Sequence, residues 1–298
     1  MDIRHLNYFL EVARQKSFSK ASEKLHISQP TISKMIKDME EEWGVLLFER
    51  LSKGIQLTDA GEIVYKQAQK VVEAFENLMH PLEDLVNFKK GTIKIGLPPM
   101  IGSNFFPAIL GKFQAQYPGI SIHLVEEGSI KVEEKVMSGE LDVGVALSPV
   151  QKDVFHTFTF VKEELRLVVH NGHRFAGKTK VALGELKDES IILFREDFAL
   201  HDRIIQECIR SGFKPHIMYR SSQWDFISEM VAEGLGVAFL PEPICRNIRS
   251  KNVQVIKLVK PTIPWHLTMI WKKDKYLSFA AREWLKFTKE LLSGRLAD

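Results

Sequence analysis

The chain has 298 residues, which is more than one ordinary hydrophobic core requires and predicts two to three domains. Its apolar fraction of 45% and charged fraction of 27% are typical of a globular protein and exclude a disordered chain. Apolar runs such as residues 235–241 are too short to cross a bilayer, and the first residues lack the apolar stretch of a secretory signal. We therefore expect a cytoplasmic protein with no membrane partner.

The distribution of charge is more informative than its total. The formal net charge of +3 is too small to indicate nucleic acid by itself. Between Lys16 and Lys37, however, there are five lysines and one acidic residue, whereas residues 1–58 together hold nine basic and eight acidic residues. The positive charge is thus concentrated in one short segment. The two cysteines, Cys208 and Cys245, argue against a disulfide scaffold and leave a redox switch between them open.

Three helices are predicted at the N-terminus. Apolar residues recur at helical spacing over residues 3–13, and Ser17 or Ser19 is placed to cap a second helix. A third helix begins after Ser28, because a serine N-cap is followed by a proline in the first turn. Its inward side carries Ile32, Met35, Ile36, Met39 and Trp43, and its outward side carries Pro30, Ser33, Lys34 and Lys37.

The outward side of the third helix is short, polar and cationic, as a helix entering the major groove of DNA requires. An exposed basic face on a small helical bundle is the alternative. Two short strand candidates, residues 45–50 and 55–58, follow and form a hairpin with a basic tip. Arg50 and Lys53 of this hairpin are placed to reach phosphate or the minor groove. Residues 1–58 are therefore predicted to be a winged helix-turn-helix domain.

Five segments carry a specific resemblance: residues 9–13, 17–22, 28–33, 47–50 and 57–61. In order and without gaps they resemble the LysR-type transcriptional regulators. The resemblance implies a sequence-specific DNA-binding regulator of transcription, with double-stranded operator DNA as partner. Its main DNA contacts would be Gln29, Thr31, Ser33 and Lys34. The rest of the candidate set is Ser17, Ser19, Lys20, Ser28, Pro30, Lys37, Arg50 and Lys53.

A long linker helix is predicted over residues 59–90, with Thr58 as its cap. Its apolar seam alternates four and three residues apart through Val64, Ala68, Val71, Phe75, Leu78, Leu82 and Leu85, and Tyr65, Val72, Met79 and Val86 widen the stripe. The small head domain cannot cover it. We expect a homodimer through this helix and assembly to a homotetramer, although an internal hairpin with another helix of the chain is the alternative. Pro81 is expected to bend or interrupt the helix near residues 77–80.

Strands and helices alternate after Gly91, which predicts an α/β region over residues 91–298. We expect strands at 92–97, 120–125, 142–147, 165–170, 191–194, 237–240 and 267–271, and helices at 105–117, 129–138, 201–211, 223–233 and 278–292. The order of these elements predicts two subdomains of a periplasmic-binding-like fold, namely 91–163 with 266–298, and 164–265. A small-molecule effector would lie in the cleft between them.

The LysR-type resemblance places the effector against residues 98–104, Gly128–Ser129 and residues 195–201. The candidate effector-binding residues are Pro99, Met100, Ser103, Ser129, Arg195, Phe198 and His201. For Ser129 a capping role alone is the alternative; for Arg195 and His201 the alternatives are a surface arginine and a capping-turn histidine. Residues 96–102 and 194–198 further resemble Bacillus-type regulators of holin-like cid operons, which implies a small carboxylate as effector.

No enzyme is predicted. Ser17–Lys20 fits S-x-x-K without the partner motifs, and Gly234–Gly236 lacks the remainder of a dinucleotide fingerprint. His170 and His173 have ligand-like spacing without further ligands, so we expect neither metal nor cofactor. The remaining non-enzymatic alternative is a ligand-binding protein whose head contacts other proteins. RNA polymerase is an expected partner if the regulator activates transcription.

Overall fold

A computed structural model of the chain describes residues 1–50, 54–86 and 90–293, without the side chains of residues 50, 76, 77, 79–86, 102–104 and 293. The chain forms two compact units, residues 1–86 and residues 87–298. Within the described segments, no helix is both long enough and apolar enough to cross a membrane.

The first unit begins with three helices and a hairpin. These are α1 (Ile3–Gln15), α2 (Phe18–Leu25), α3 (Gln29–Trp43), β1 (Phe48–Arg50) and β2 (Ile55–Leu57). The hairpin is antiparallel, with Phe48 opposite Leu57. Phe9, Ile32 and Leu47 are fully buried in one core that joins the helices to the hairpin. The predicted winged helix-turn-helix is confirmed.

The helix ends follow from local side chains. Ser17, and not Ser19, caps α2 by accepting a hydrogen bond from the amide of Lys20 at 3.3 Å. His26 ends that helix in the left-handed region at φ 54°, and Ser28 caps α3 by accepting from the amide of Thr31 at 3.3 Å. Each cap satisfies an amide that has no partner within its helix. The angle between α2 and α3 is therefore set by a three-residue turn.

Helix α4 (Asp59–Val86) has 28 residues. Thr58 Oγ1 caps it by accepting from the amide of Gly61 at 3.0 Å, and it donates to the carbonyl of Leu46 at 2.6 Å. Ala68 is buried, and α4 packs on α1 and β2 near its start. The helix continues through Pro81 to Val86, so Pro81 does not interrupt it, and the bend stays a prediction.

The second unit is built on one large sheet. Its strands are β3 (Gly91–Leu97), β4 (Ile120–Glu126), β5 (Val143–Leu147), β6 (Phe155–His170), β7 (Lys180–Ala182), β8 (Ser190–Phe194), β9 (His216–Ser221), β10 (Val237–Pro241), β11 (Val253–Val259) and β12 (Pro264–Lys272). The order along the sheet is β4-β3-β5-β12-β6-β10-β8-β9, and β11 pairs with both β6 and β7. The α/β fold is therefore confirmed.

Within residues 90–293, six α-helices and one short 3₁₀ helix pack on this sheet. They are α5 (Pro99–Gln116), α6 (Ser129–Met137), the 3₁₀ helix (Leu183–Leu186), α7 (Ala199–Arg210), α8 (Trp224–Ala232), α9 (Glu242–Cys245) and α10 (Phe279–Ser293). An aromatic cluster fills part of the core between α5 and α10: Trp284 stacks on Phe106 at 6.2 Å between ring centroids and meets Phe113 edge-on at 5.0 Å. All three side chains are fully buried.

Strands β6 and β12 join two lobes. The first lobe contains β3, β4, β5, most of β12 and the β6 residues before Leu165; the second contains β7 to β11 and the remainder of β6. Pairing of β12 with β6 runs from Pro264 opposite Glu164 to Lys272 opposite Phe155. The predicted subdomain limits at 163/164 and 265/266 thus fall inside these two strands.

Two expectations about this unit are wrong. Residues 98–104 were expected to precede the first helix of this unit, predicted at 105–117, but α5 begins at Pro99 and includes most of them. A proline is tolerated there because the first helical amide needs no partner. The sequence also failed to predict the first half of β6 and strands β7, β9 and β11, whose pairing partners lie far away in the chain.

Candidate DNA-binding surface and effector cleft

The start of α3 presents a polar surface to solvent. Gln29, Pro30, Thr31, Lys34 and Lys37 are exposed, and we call these five residues the recognition face. The opposite side of α3, which carries Ile32, Ile36 and Met39, is buried in the core of the first unit. The helix is therefore fixed from behind, and its polar face remains free to approach a ligand.

Side chains at the start of α3 hold each other in place. Ser28 Oγ lies 2.7 Å from Thr31 Oγ1, and Gln29 Nε2 donates to Ser33 Oγ at 2.7 Å. The Ser28 hydroxyl thus acts mainly as a helix cap. Gln29 keeps a carbonyl oxygen and a second N–H that it can offer to a base edge. These contacts reduce the side-chain entropy that is lost on binding.

The cations near the recognition face differ in their partners. Lys34 is exposed and forms no ion pair within the described residues, whereas Lys37 lies 3.2 Å from Glu41. Both members of that pair are largely exposed, so it contributes little to stability and yields readily to a phosphate. Ser19 and Lys20 are exposed at the start of α2. The tip of the hairpin, including Lys53, and the side chain of Arg50 lie outside the described residues.

Glu40 connects α3 to the hairpin, and the sequence reading missed it. Its Oε1 accepts hydrogen bonds from the amides of Leu47 at 2.7 Å and Phe48 at 3.2 Å. Between α3 and the hairpin lies a groove of about 320 Å³, lined by Phe18, Ser33, Lys34, Ile36, Lys37, Glu40, Phe48 and Ile55. An acidic residue one turn after the buried Ile36 was the only sequence signal of this tie.

Glu11 is a buried carboxylate that joins α1 to α2. It lies 2.9 Å from Lys24 Nζ and accepts from Gln15 Nε2 at 2.7 Å. Burial by itself raises the pKa of Glu11, but the hydrogen bonds from Lys24 and Gln15 and the charges of Lys24 and Arg14 outweigh it, and the net shift is downward. Glu11 is therefore ionised and holds the two helices that support α3.

The seam of α4 is covered only at its start. Ala68 is buried, and Val64, Tyr65 and Val72 pack against the first unit's core. Further along, Val71 is 50% exposed, Phe75 43% and Leu78 63%. The side chains of Met79, Leu82, Leu85 and Val86 lie outside the described residues. The apolar seam thus continues into solvent beyond the point where the head can cover it.

In the second unit, the start of α6 lies directly against the loop before α7. Ser129 Oγ accepts a hydrogen bond from the amide of Ala199 at 3.2 Å. A Cβ atom at Gly128 would lie 2.1 Å from the carbonyl oxygen of Asp197, so only glycine fits this approach. Ser129 therefore does act as a cap, but for helix α7 of the other lobe and not for its own helix.

Arg195 and His201, the two expected anion-binding residues, differ in the partners of their side chains. Arg195 forms a bidentate pair with Asp197, at 2.9 and 2.7 Å, which lowers the pKa of that carboxyl. Arg195 is thus already neutralised. His201 is buried; its Nδ1 lies 2.9 Å from Asp202 Oδ1, and its Nε2 is buried with no hydrogen-bond partner. An orphaned buried nitrogen is costly unless a ligand pairs with it.

The remaining expected effector residues lie close to the core. Phe198 is buried and stacks on Phe194 at 5.8 Å between ring centroids. Met100 is buried in α5, and Pro99 beside it is half-buried. The side chain of Ser103 lies outside the described residues.

Polar groups between the lobes were not found from the sequence. Arg203 of α7 donates to the carbonyl of Pro264 at 3.1 Å and to the carbonyl of Ser148. Its burial lowers its pKa. The buried Thr268 hydroxyl lies 3.0 Å from that of Thr159 and is also hydrogen-bonded to Ser148. Arg203 thus ties α7 to the ends of β5 and β12, a link that spans the two lobes.

The two cysteines are free and buried. Burial raises the pKa of Cys208 and of Cys245 to about 12 each. Since the thiolate is the reactive form of cysteine, neither residue is activated for oxidation. The geometry gives no support to a redox switch between them.

Glu133 on α6 predicts a pH dependence. Burial raises its pKa from 4.5 to about 7. Because the folded state disfavours the ionised form, its contribution to stability should fall as the pH rises from 4.5 through 7. At pH 8, Glu133→Gln is expected to raise the free energy of unfolding by about 1 kcal/mol, a value reduced because the side chain is partly exposed. This corresponds to a Tm higher by about 2–4 °C. At pH 4 the substitution should leave the Tm unchanged. Calorimetry at both pH values measures this, with exposed Glu134→Gln as control. Equal Tm values of the wild type and Glu133→Gln at pH 8 would contradict this prediction.

Two family models match the chain. Residues 3–62 match the bacterial regulatory helix-turn-helix protein, lysR family, and residues 87–293 match the LysR substrate binding domain. Among relatives, an uncharacterised HTH-type transcriptional regulator of Bacillus subtilis, YwbI, is 59% identical over 98% of this chain and 97% of its own length. A hydrogen peroxide-inducible genes activator of Dickeya chrysanthemi is 26% identical over the full length of both chains.

A solved structure agrees with these matches. A full-length OxyR variant from Pseudomonas aeruginosa is similar with a TM-score of 0.71 and 26% identity, covering 98% of this chain and 94% of that one. The fold of this chain therefore resembles that of a solved full-length protein over nearly its whole length. The chain belongs to the LysR family of DNA-binding transcription regulators, which carry an effector-binding domain.

Proposed function

We propose that the chain binds its operator as a homodimer, through α4, and reads bases with the first turns of α3. The observation that carries this proposal is the recognition face, which is exposed, polar and supported from behind by a buried side. Gln29 and Thr31 are assigned to base edges, and Ser33 to both bases and backbone. Ser17, Ser19, Lys20, Lys34, Lys37, Arg50 and Lys53 are assigned to phosphate or sugar contacts, and Ser28 and Pro30 to the start of the helix.

The same proposal assigns residues 1–58 to DNA binding, 59–90 to dimerisation and 91–298 to effector response. Two heads on one dimer axis contact two half-sites about one helical turn apart. We also propose that two dimers assemble to a tetramer. Where transcription is activated, the tetramer contacts RNA polymerase. The near-neutral head supports the dimer, since a single head has little net positive charge with which to hold DNA.

Substitutions on the recognition face separate base contacts from phosphate contacts. Gln29→Ala is expected to cost about 1–3 kcal/mol on the operator and to relax the base preference at one position. Lys34→Gln is expected to weaken all duplexes alike, because phosphates are the same in every sequence. Fluorescence anisotropy with the footprinted DNA upstream of the gene and with single-base variants measures both. A uniform loss from Gln29→Ala would show that this side chain reads no base.

We further propose a small carboxylate as effector, bound beside His201 and the start of α6. The buried Nε2 of His201 supports this choice: because Nδ1 already lies 2.9 Å from Asp202 Oδ1, Nε2 is the ring atom left to pair with a bound ligand. The neutralised Arg195 is assigned a supporting role, which it takes up if its pair with Asp197 opens.

A thermal-shift series tests the carboxylate. Acetate, lactate, pyruvate and citrate are titrated against the full-length protein, and a binder at about 100 times its Kd should stabilise it by about 2.7 kcal/mol. We expect His201→Phe to abolish this shift and Glu134→Gln to keep it. If none of the four shifts the wild-type Tm, the carboxylate class is wrong, whereas operator binding is unaffected by that result.

A further inference from the structure

The net positive charge of the chain comes from the second unit and not from the unit that carries the recognition face. Residues 1–86 hold eleven basic and fourteen acidic residues, so the first unit has a net charge of −3. Between Glu242 and Asp274 the chain has seven basic residues and no acidic one. The unit that carries the helix-turn-helix is therefore net negative, whereas this stretch of seven basic residues lies in the effector unit.

Three cations of this unit stand side by side on adjacent strands. Lys180 of β7 is the register partner of Lys257 of β11, which is in turn the partner of Arg166 of β6. Register partners lie on the same face of a sheet, about 4.8 Å apart. Like charges directly opposite one another destabilise a sheet. This arrangement therefore carries an electrostatic cost that a bound polyanion would relieve.

Of these three cations, only Arg166 is paired with carboxylates among the described residues. Arg166 pairs with Glu164 and Glu242, and Arg246 lies 3.6 Å from Glu242. Lys180 and Lys257 are exposed, and neither takes part in an ion pair among the described residues. Arg249 and Lys251 are exposed on the segment after α9. We call the register partners Arg166, Lys257 and Lys180 the basic row.

We propose that the basic row binds the phosphate backbone of DNA flanking the operator. Val255 is the only exposed large apolar residue of β7 and β11. Protein interfaces are enriched in aromatic residues and poor in lysine, so an acidic protein surface is the less suitable partner. Flexible lysines suit phosphates, which need a charge but no fixed geometry. The proposal rests on the DNA-binding function of the family.

Length-dependent binding tests the row. The full-length double variant Lys180→Gln, Lys257→Gln is compared with Lys112→Gln, Lys286→Gln, which removes two exposed lysines of the same unit on α5 and α10. Anisotropy is measured from 0.05 to 0.3 M salt on a duplex covering only the two half-sites contacted by the heads and on one with 25 bp added at each end. The slope of log K against log salt falls by about 0.9 for each lost phosphate contact.

For the row variant we expect a slope lower by about two and binding roughly tenfold weaker at 0.1 M salt on the long duplex alone. The control variant should match wild type on both duplexes. Equal behaviour of the two variants on the long duplex overturns the proposal, as does a loss of the same size on the short duplex. The proposal is also overturned if the row variant binds DNA like the wild type but supports less transcription in a purified system. In that case the row would contact an acidic protein surface instead of DNA. Wild-type binding to the short duplex tests the DNA-binding function independently.

Discussion

Replacing Phe75 and Leu78 by glutamate is expected to convert the regulator into a form that cannot pair through α4, and to weaken operator binding by about 100-fold or more. Both side chains lie on the apolar seam and are exposed in the single chain. In a paired coiled coil they are buried, so each substitution removes apolar contact and places like charges opposite one another. Two heads that are no longer linked each bind with the affinity of one.

Sedimentation velocity and operator anisotropy measure this prediction. The matched control is Ile63→Glu with Lys70→Gln, which alters the net charge by the same amount at two exposed positions of α4 outside the seam. The control should keep the wild-type mass and affinity. A seam variant that retains the wild-type mass and operator affinity would refute pairing through α4 and favour an internal partner for the seam.

Gly128→Val is expected to separate the start of α6 from the loop before α7 and to lower the Tm by about 5–10 °C. A Cβ at this position would lie 2.1 Å from a backbone oxygen, which cannot rotate away as a side-chain end can. The loop must move, and the hydrogen bond from the Ala199 amide to Ser129 is lost with it. We estimate a cost of about 2–3 kcal/mol for this overpacking.

Scanning calorimetry of the full chain measures the change. Gly111→Ala is the control, because nothing lies within 4 Å of a Cβ there and alanine favours the helical state. The control should be neutral or slightly stabilised. An unchanged Tm for Gly128→Val would mean that the two segments are apart in solution, and that their contact does not belong to the resting state of the regulator.

The sequence predicted the head better than the effector unit, for a physical reason. The cap at Ser28, the proline in the first turn of α3 and the inward Ile32 act within one or two helical turns, so local pattern is sufficient. The contact of Glu40 with the hairpin spans seven and eight residues and was already missed. Local rules thus recovered the helices, the hairpin and the exposed recognition face of the head. They did not recover the hydrogen bonds from Glu40 that join α3 to the hairpin.

In the effector unit the decisive contacts join distant parts of the chain. Ser129 meets an amide 70 residues away, and Arg203 reaches carbonyls 55 and 61 residues away. The sequence suggested a serine at a helix start but could not show which helix it caps. Residues 155–161 are an exception, because their phenylalanine, threonine and valine residues favour a strand by local propensity and the prediction nevertheless omitted it.

The pairing of β6 with β12 limits how the effector unit can respond to a ligand. Because the lobes are joined by two hydrogen-bonded strands and not by flexible tethers, wide opening would break backbone bonds in succession. The register shift between Leu267 and Thr268 lies within the first lobe, so the strands that cross from one lobe to the other are regular. We therefore expect a bound effector to change the angle between the lobes by a small twist of these strands and not by a wide closure.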